Sequence, residues 1–124
     1  MALQVPGFTN GICRAAADLS THQFKFMRVS AEFEVNLNTT LGAPCIGILQ
    51  DKPTAGVAAA VMIDGISKVR LGATLAAGAE VMSSAAGLAV AATGAGMVVM
   101  GILLEGGANG EIGTIQLARS TKTS

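Results

Sequence analysis

The side chains that could act as acids or bases are spread along this sequence without forming a recognisable catalytic set. Glu32 and Glu34 would lie on the same face of a strand, but a solvated strand face explains that spacing better than paired acid and base catalysis does. Since nothing nearby supplies a catalytic partner, the sequence predicts no catalytic residues and a protein that is not an enzyme. The candidates considered are Asp18, His22, Glu32, Glu34, Asp51, Asp64, Glu80, Glu105 and Glu111.

Asp51, Glu105 and His22 are the first candidates for binding a metal ion or a cofactor. Asp51 and Glu105 occupy matching positions of an internal repeat, which favours a shared role in forming a turn. A calcium site is less favoured because calcium takes about six to eight oxygen ligands. His22 is the only histidine, so it is expected to be a surface or interface residue. We therefore predict no metal and no cofactor.

The cysteines and the Gly-rich segments do not indicate a reactive site either. Cys13 and Cys45 form no Cys-x-x-Cys pair, so they are expected to be buried free thiols rather than part of a disulfide framework or a zinc site. Residues 94–96 and 106–110 are rich in glycine but lack the sequence context of a phosphate-binding loop. These two segments are predicted to be turns.

The composition indicates one small domain that gains stability by packing against other proteins. A chain of 124 residues is long enough for one domain and too short for two conventional ones. Hydrophobic residues make up 51% of it, but there are four Phe, no Trp and no Tyr. Because small side chains contribute less on burial than large ones, the isolated monomer is expected to be marginally stable. Eight basic residues balance eight acidic ones, so no attraction to nucleic acid is expected.

One uncharged stretch, residues 81–104, is long enough to cross a membrane as a helix. It contains four glycines, its residues 93–96 have the composition of a turn, and no Lys or Arg flanks it closely. Strands around a Gly-rich turn explain it better, so no membrane partner is predicted. The first twenty residues do not have the pattern of a signal peptide, which favours synthesis in the cytoplasm.

The pattern of apolar residues predicts an all-β fold preceded by an arm. Residues 1–20 have no sustained periodicity and are predicted to be an extended N-terminal arm. Alternation predicts an extended strand region over 24–36 and a strand over 61–71 with the odd-numbered residues on one face. Residues 73–78 leave room for one short helical turn, and 85–87 are predicted to be a hairpin turn.

An internal repeat is the most informative feature of the chain. Residues 47–56 (GILQDKPTAG) align without gaps to residues 101–110 (GILLEGGANG), and at the same offset Val61 falls on Ile115. Each copy has an apolar strand, an acidic residue, a loop with Gly or Pro and a second apolar strand. We predict two hairpin units that pack with approximate two-fold similarity in a compact sandwich or barrel.

Five motifs follow one another between about residues 16 and 118: ADLSTHQF at 17–24, IGILQDKP at 46–53, GISKV at 65–69, AGAEV at 77–81 and GILLE at 101–105. Their succession resembles the capsid-cement, or head-decoration, family of tailed bacteriophages. The resemblance implies a β-sandwich or β-tulip domain that binds the outside of an icosahedral head, commonly as a homotrimer. It also implies that the protein clamps neighbouring subunits of the major capsid protein, without catalysis, as a component of the virion.

The predicted organisation is an arm over 1–20, a β domain over 21–118 with hairpin units around 46–64 and 100–118, and a flexible C-terminal tail over 119–124. Deleting the first fifteen residues is expected to abolish capsid binding and to leave the domain folded. Contacts with the capsid and with neighbouring copies are predicted in the arm, around Val5, Phe8, Ile12 and Leu19.

Two other functions remain compatible with this pattern. Another phage virion module, such as a tail or fibre protein, would have the same β class. A small ligand-binding barrel would require a pocket with convergent polar groups, which the sequence does not reveal.

Overall fold

The protein, described by a computed structural model over residues 9–10 and 13–122, consists of two β-sheets. No helix occurs in these residues, which confirms the predicted all-β fold, and residues 73–78 form bends and turns instead of a helical turn. The first sheet has the strand order β1-β6-β5-β3-β4-β2 and the second the order β7-β11-β10-β8-β9. The strands are β1 Thr9–Asn10, β2 Arg14–Ala15, β3 Phe26–Ala31, β4 Glu34–Leu37, β5 Gly47–Leu49, β6 Val61–Met62, β7 Gly65–Arg70, β8 Glu80–Ser83, β9 Ala89–Ala91, β10 Val98–Glu105 and β11 Ile112–Thr121.

Each sheet curls until its edges approach each other. In the first sheet, β2 runs parallel to β4 at one edge, and Arg14 also forms an antiparallel bridge to Ala58, close to β6. In the second sheet, Leu71 follows β7 and forms a parallel bridge to Ala89 in β9. The result is two half-barrels that share a core, in agreement with the predicted compact sandwich or barrel.

The repeat seen in the sequence extends to most of the described structure. Leu49 pairs with Val61 in the first sheet, and Leu103 pairs with Ile115 in the second, each 54 positions after its counterpart. The same offset relates the β3–β4 pair to the β8–β9 pair. Residues 13–62, which we call the first half, therefore have the same fold as residues 69–116, the second half. The offset is 56 residues at the start, where Arg14 and Ala15 correspond to Arg70 and Leu71, and 54 residues from Phe24 onward.

Left-handed backbone positions recur in the two halves at this offset. Four such pairs exist among the described residues; in two of them both members are glycine, and in the other two the first half has a Phe where the second half has a glycine. A left-handed conformation costs an ordinary residue about 1 to 2 kcal/mol. Both Phe residues thus occupy strained positions that the same fold fills elsewhere with glycine. The pairs are Phe24 and Gly78, Phe33 and Gly87, Gly42 and Gly96, and Gly56 and Gly110.

The chain passes from the first half to the second between β6 and β7, and the prediction of one strand over 61–71 is wrong. β6 ends at Met62 in the first sheet, and β7 begins in the second sheet at Gly65, which has a φ of 106°. The predicted alternation holds in the second part, where Ser67 and Val69 are buried. It fails in the first part because the chain changes sheets there.

Two hairpins show what local sequence could and could not predict. The predicted hairpin turn at 85–87 is confirmed, since it connects β8 to β9 and Gly87 has a φ of 76°. The strand region predicted over 24–36 is interrupted instead, because Glu32 and Phe33 form a turn between the antiparallel strands β3 and β4. This turn has no glycine, asparagine or proline, so the usual turn signal is missing.

Residues 81–104 form strands and loops, as predicted, with Gly94 and Gly96 in the loop between β9 and β10. Over the part of the chain that the structure describes, no helix has the length and apolar character needed to cross a membrane. At the other end, β11 continues to Thr121, which pairs with Val98. Residues 119–121, predicted to belong to a flexible tail, are thus part of a strand.

The core consists mainly of aliphatic side chains and methionine, as the composition indicated. The larger of two clusters contains residues from both halves and joins the two half-barrels. Polar side chains also connect the first half to the second sheet: Asn38 Nδ2 donates to Ser83 Oγ of β8 at 2.8 Å, and the partly buried Gln50 Nε2 donates to Ser67 Oγ of β7 at 2.9 Å. The larger cluster comprises Phe26, Cys45, Ile48, Met62, Val69, Leu71, Val81, Ala89, Met100, Leu103, Ile115 and Leu117.

Candidate interaction surfaces

The residues predicted to contact the capsid or a neighbouring copy are only partly described by the structure. Val5, Phe8 and Ile12 lie outside the described residues. Leu19 is 1% exposed and packs in the smaller core cluster, and its backbone N–H donates to the Pro53 carbonyl oxygen at 2.9 Å. The Leu19 side chain therefore belongs to the core of the domain rather than to an exposed contact surface.

The later part of the predicted arm is also packed into the domain. Cys13 and Ala15 are buried, the Ala15 N–H donates to the Val57 carbonyl oxygen at 2.9 Å, and the Ala59 N–H donates to the Cys13 carbonyl oxygen at 2.8 Å. The second half has its counterpart of this segment at residues 69–71. Residues 13–19 of the predicted arm thus belong to the domain, and Thr9–Asn10 add strand β1 to the first sheet.

Asp51 and Glu105 have matching structural roles, as the repeat predicted. The Asp51 carboxylate accepts the Ala60 N–H at 3.2 Å, and Glu105 Oε1 accepts the Thr114 hydroxyl at 3.2 Å. Ala60 and Thr114 are themselves repeat counterparts, so each carboxylate connects the two strands of its own hairpin. Among residues 9–10 and 13–122, no group of three or more His, Cys, Asp or Glu side chains is arranged to hold a metal ion.

His22 lies partly buried beside Lys25, and its Nδ1 is 3.0 Å from the lysine Nζ. Burial lowers the pKa of His22 below its ordinary value of 6.5, and the positive charge of Lys25 lowers the pKa further, while Asp18 opposes both effects. The imidazole is therefore expected to be neutral at pH 7 and to accept a hydrogen bond from the lysine ammonium.

We expect the His22 ring to titrate below pH 6.5 in the folded protein. Because the unfolded state binds this proton more readily, the stability that neutral His22 contributes should be present above pH 6.5 and lost as the pH falls through the folded pKa. NMR titration of the ring tests this directly. In Lys25→Met the pKa should rise relative to wild type, since the neighbouring cation is removed; an unchanged or lower value would contradict the assignment.

Both cysteines are buried free thiols, as predicted. Burial raises the pKa of Cys45 to about 11, although its contacts with Ser83 and the nearby Arg119 favour the thiolate. Since the thiolate is the nucleophilic form, Cys45 is an inert core residue at neutral pH.

A groove opens beside Cys45, on the side of the first half that faces β11. It encloses about 550 Å³, and a smaller cavity of about 130 Å³ continues from it toward Met100 and Leu117. The rim carries the exposed apolar side chains of Val29 and Ile63. Exposed apolar side chains around a concave surface are typical of a contact surface for another protein.

Two arginines line this otherwise mainly apolar groove. Arg119 Nη1 donates to the Cys45 carbonyl oxygen at 3.0 Å, which fixes its guanidinium at the edge of the groove. Arg28 Nε is buried and has no hydrogen-bond partner among the described residues. Neither arginine forms an ion pair within that part of the chain. The groove therefore offers positive charge together with apolar surface.

The β3–β4 turn is a second exposed feature. Phe33 is 58% exposed with a φ of 52°, and Glu32 beside it is also exposed. Glu34 lies in β4 and pairs with Arg14, whose Nε is 3.6 Å from the Glu34 carboxylate. Because Glu32 lies in the turn instead, the two glutamates do not form the common strand face predicted from their spacing. Sequence reasoning missed Arg28 and Phe33. Comparison at the offset of 54 residues could have found them, because Met82 and Gly87 are their counterparts.

Comparisons with known proteins connect this fold with a phage structure. The chain is similar to the crystal structure of the head fibre gp8.5 N base of bacteriophage phi29, with a TM-score of 0.70 and 16% sequence identity. The similarity covers 94% of this chain and 97% of that chain. No family model matches the sequence, and no curated protein matches it. At this level of identity, the comparison shows that the two chains share a fold.

Proposed function

We propose that this protein is a non-enzymatic structural component of a phage virion that binds the outer surface of the head and stabilises the capsid by bridging major capsid protein subunits. The observation that carries the proposal is the shared fold with a head fibre base over 94% of the chain. In this proposal the protein is made in the host cytoplasm and is bound on the capsid as a homotrimer.

The physical features of the chain support a role in assembly. Hydrophobic residues make up 51% of the sequence, but large aromatic side chains are few, so burial against other subunits would add stability that the monomer core lacks. The exposed groove and the exposed turn at Phe33 provide apolar surface for such contacts. The absence of net charge is compatible with a protein partner rather than nucleic acid.

The test uses purified heads that lack this protein. Wild type is expected to co-sediment with them and to raise the temperature at which they release their DNA, because bridging resists internal pressure. A variant lacking residues 1–8 should fold but bind the heads weakly if the arm carries the main contacts. Failure of the wild-type protein to bind any head would refute the proposal.

The segment to delete differs from the one expected from sequence. Removal of residues 1–15 would take away β2 and the buried Cys13 and Ala15 side chains, so loss of binding could simply reflect unfolding. Removal of residues 1–8 leaves every described strand in place. Circular dichroism of both variants separates the two effects.

A second candidate function is the base of a head fibre, and the same comparison favours it, since the similar structure is described as a head fibre base. Electron cryo-microscopy of reconstituted heads distinguishes the two. A capsid cement should occupy equivalent sites over the whole shell and bridge neighbouring capsid subunits. A fibre base should contact the shell without bridging neighbouring subunits.

A further inference from the structure

Phe33 occupies a position where the fold does not require a side chain. Its counterpart in the second half is Gly87, and both have a left-handed backbone, which glycine adopts without strain. An aromatic residue in this conformation is strained, and Phe33 is also 58% exposed. Since neither its backbone conformation nor its burial is favourable within the domain, the Phe33 side chain is suited to a contact outside it.

Arg28 departs from its repeat counterpart in a similar way. Met82, which lies at the same place in β8, is buried and apolar. Arg28 places its Nε in a buried position without a hydrogen-bond partner among the described residues, which is unfavourable for the isolated domain. A carboxylate entering the groove could satisfy this guanidinium, because arginine and carboxylate form strong charge-assisted hydrogen bonds.

The turn and the groove are complementary in chemistry. The turn presents an exposed aromatic ring next to the Glu32 carboxylate. The groove presents apolar side chains, including Val29 and Ile63, next to the guanidinium groups of Arg28 and Arg119. The turn and most of the groove come from the first half, and the corresponding positions of Phe33 and Arg28 in the second half are Gly87 and Met82.

We propose that the protein binds a second copy of itself by inserting the turn at Glu32 and Phe33 of one copy into the groove lined by Arg28 and Arg119 of the other. Phe33 fills the apolar part of the groove, and the Glu32 carboxylate pairs with the arginines. The chain has no net charge, so two copies do not repel each other overall.

The contact must be between copies rather than within one chain. Val29 lines the groove, and Phe33 lies four residues further along the same hairpin. Neither Glu32 nor Phe33 lines the groove of its own chain, and both are held in the turn at the end of the β3–β4 hairpin. The turn could not fold back into its own groove without breaking the β3–β4 pairing. Self-association of this kind does not depend on whether the protein binds a phage head.

The experiment is sedimentation velocity of the full chain over a range of concentrations up to millimolar. Wild type should associate, and Phe33→Gly and Arg28→Met, which introduce the repeat counterparts, should each weaken association at least tenfold. Both variants should melt at the same temperature as wild-type monomer or higher, because they remove strain and a buried unsatisfied donor. Lost association together with a lower melting temperature would overturn this interpretation.

Exchanging the two charges distinguishes a specific ion pair between copies from nonspecific association. Glu32→Arg and Arg119→Glu should each weaken association, and the double variant should restore it. Leu104→Ala removes an exposed apolar side chain elsewhere and should change nothing. A monomeric wild type, wild-type association in Phe33→Gly, or no restoration in the double variant would each overturn the proposal. If association persisted in Phe33→Gly but disappeared on deletion of residues 1–8, residues 1–8 rather than the turn would be the segment that binds in the groove.

Discussion

Replacing Gly101 by alanine is expected to lower the free energy of unfolding by about 3 kcal/mol or more. A Cβ atom at this position would overlap the backbone carbonyl oxygen of Gln116 in the paired strand β11. Backbone cannot move aside as a flexible side chain can, so β10 and β11 would have to separate locally. Since small domains are stable by only about 5 to 15 kcal/mol, this loss is a large fraction of the total stability. Urea denaturation followed by circular dichroism measures the change.

The repeat supplies a second site and a control for this prediction. Gly47, the counterpart of Gly101, would place a Cβ against the Met62 carbonyl oxygen, so Gly47→Ala should be similarly destabilising. Gly110→Ala is the matched control, because nothing lies within 4 Å of the position that its Cβ would take and only its positive φ opposes the change. It should cost about 1 to 2 kcal/mol. Equal losses of stability in Gly101→Ala and Gly110→Ala would contradict the inference that the close approach of β11 requires glycine at position 101.

Replacing Leu19 by alanine is expected to cost about 2 to 5 kcal/mol of stability, the range for a large aliphatic side chain removed from a packed core. Leu19 is fully buried in the smaller core cluster, and its backbone N–H donates a hydrogen bond to the Pro53 carbonyl oxygen. The sequence alone placed Leu19 among the contact residues of the arm, which would make the substitution harmless to folding. Equilibrium unfolding of Leu19→Ala therefore distinguishes a core position from a docking position.

Leu104→Ala is the control for this substitution, because it removes the same atoms from a side chain that is 47% exposed. We expect it to change stability by no more than about 0.5 kcal/mol. If Leu19→Ala were as stable as Leu104→Ala and failed to bind heads, Leu19 would be a contact residue after all, and its burial would have to change on docking.

The candidate surfaces could be predicted from sequence only where their signal was local. Asp51 and Glu105 were recognisable because they stand at matching positions of an ungapped repeat, and each accepts a hydrogen bond from an equivalent residue, Ala60 or Thr114. Phe33 looked like one more residue of an alternating strand, since no glycine or asparagine marked the turn. Arg28 looked like an ordinary polar strand residue. Its unusual environment arises from the packing of the groove around it.

The sequence by itself determined the all-β character, the Gly-rich turns and the pairing of the two hairpin units. Alternation and turn residues act over short distances along the chain, and the constant offset of the repeat is visible when the sequence is aligned with itself. Only the tertiary structure decided that residues 13–19 are part of the domain and that β6 and β7 belong to different sheets. The same is true of the groove beside Cys45, which forms beside β11. These features result from contacts between residues far apart in sequence, and two-residue strands carry too little periodicity to reveal them.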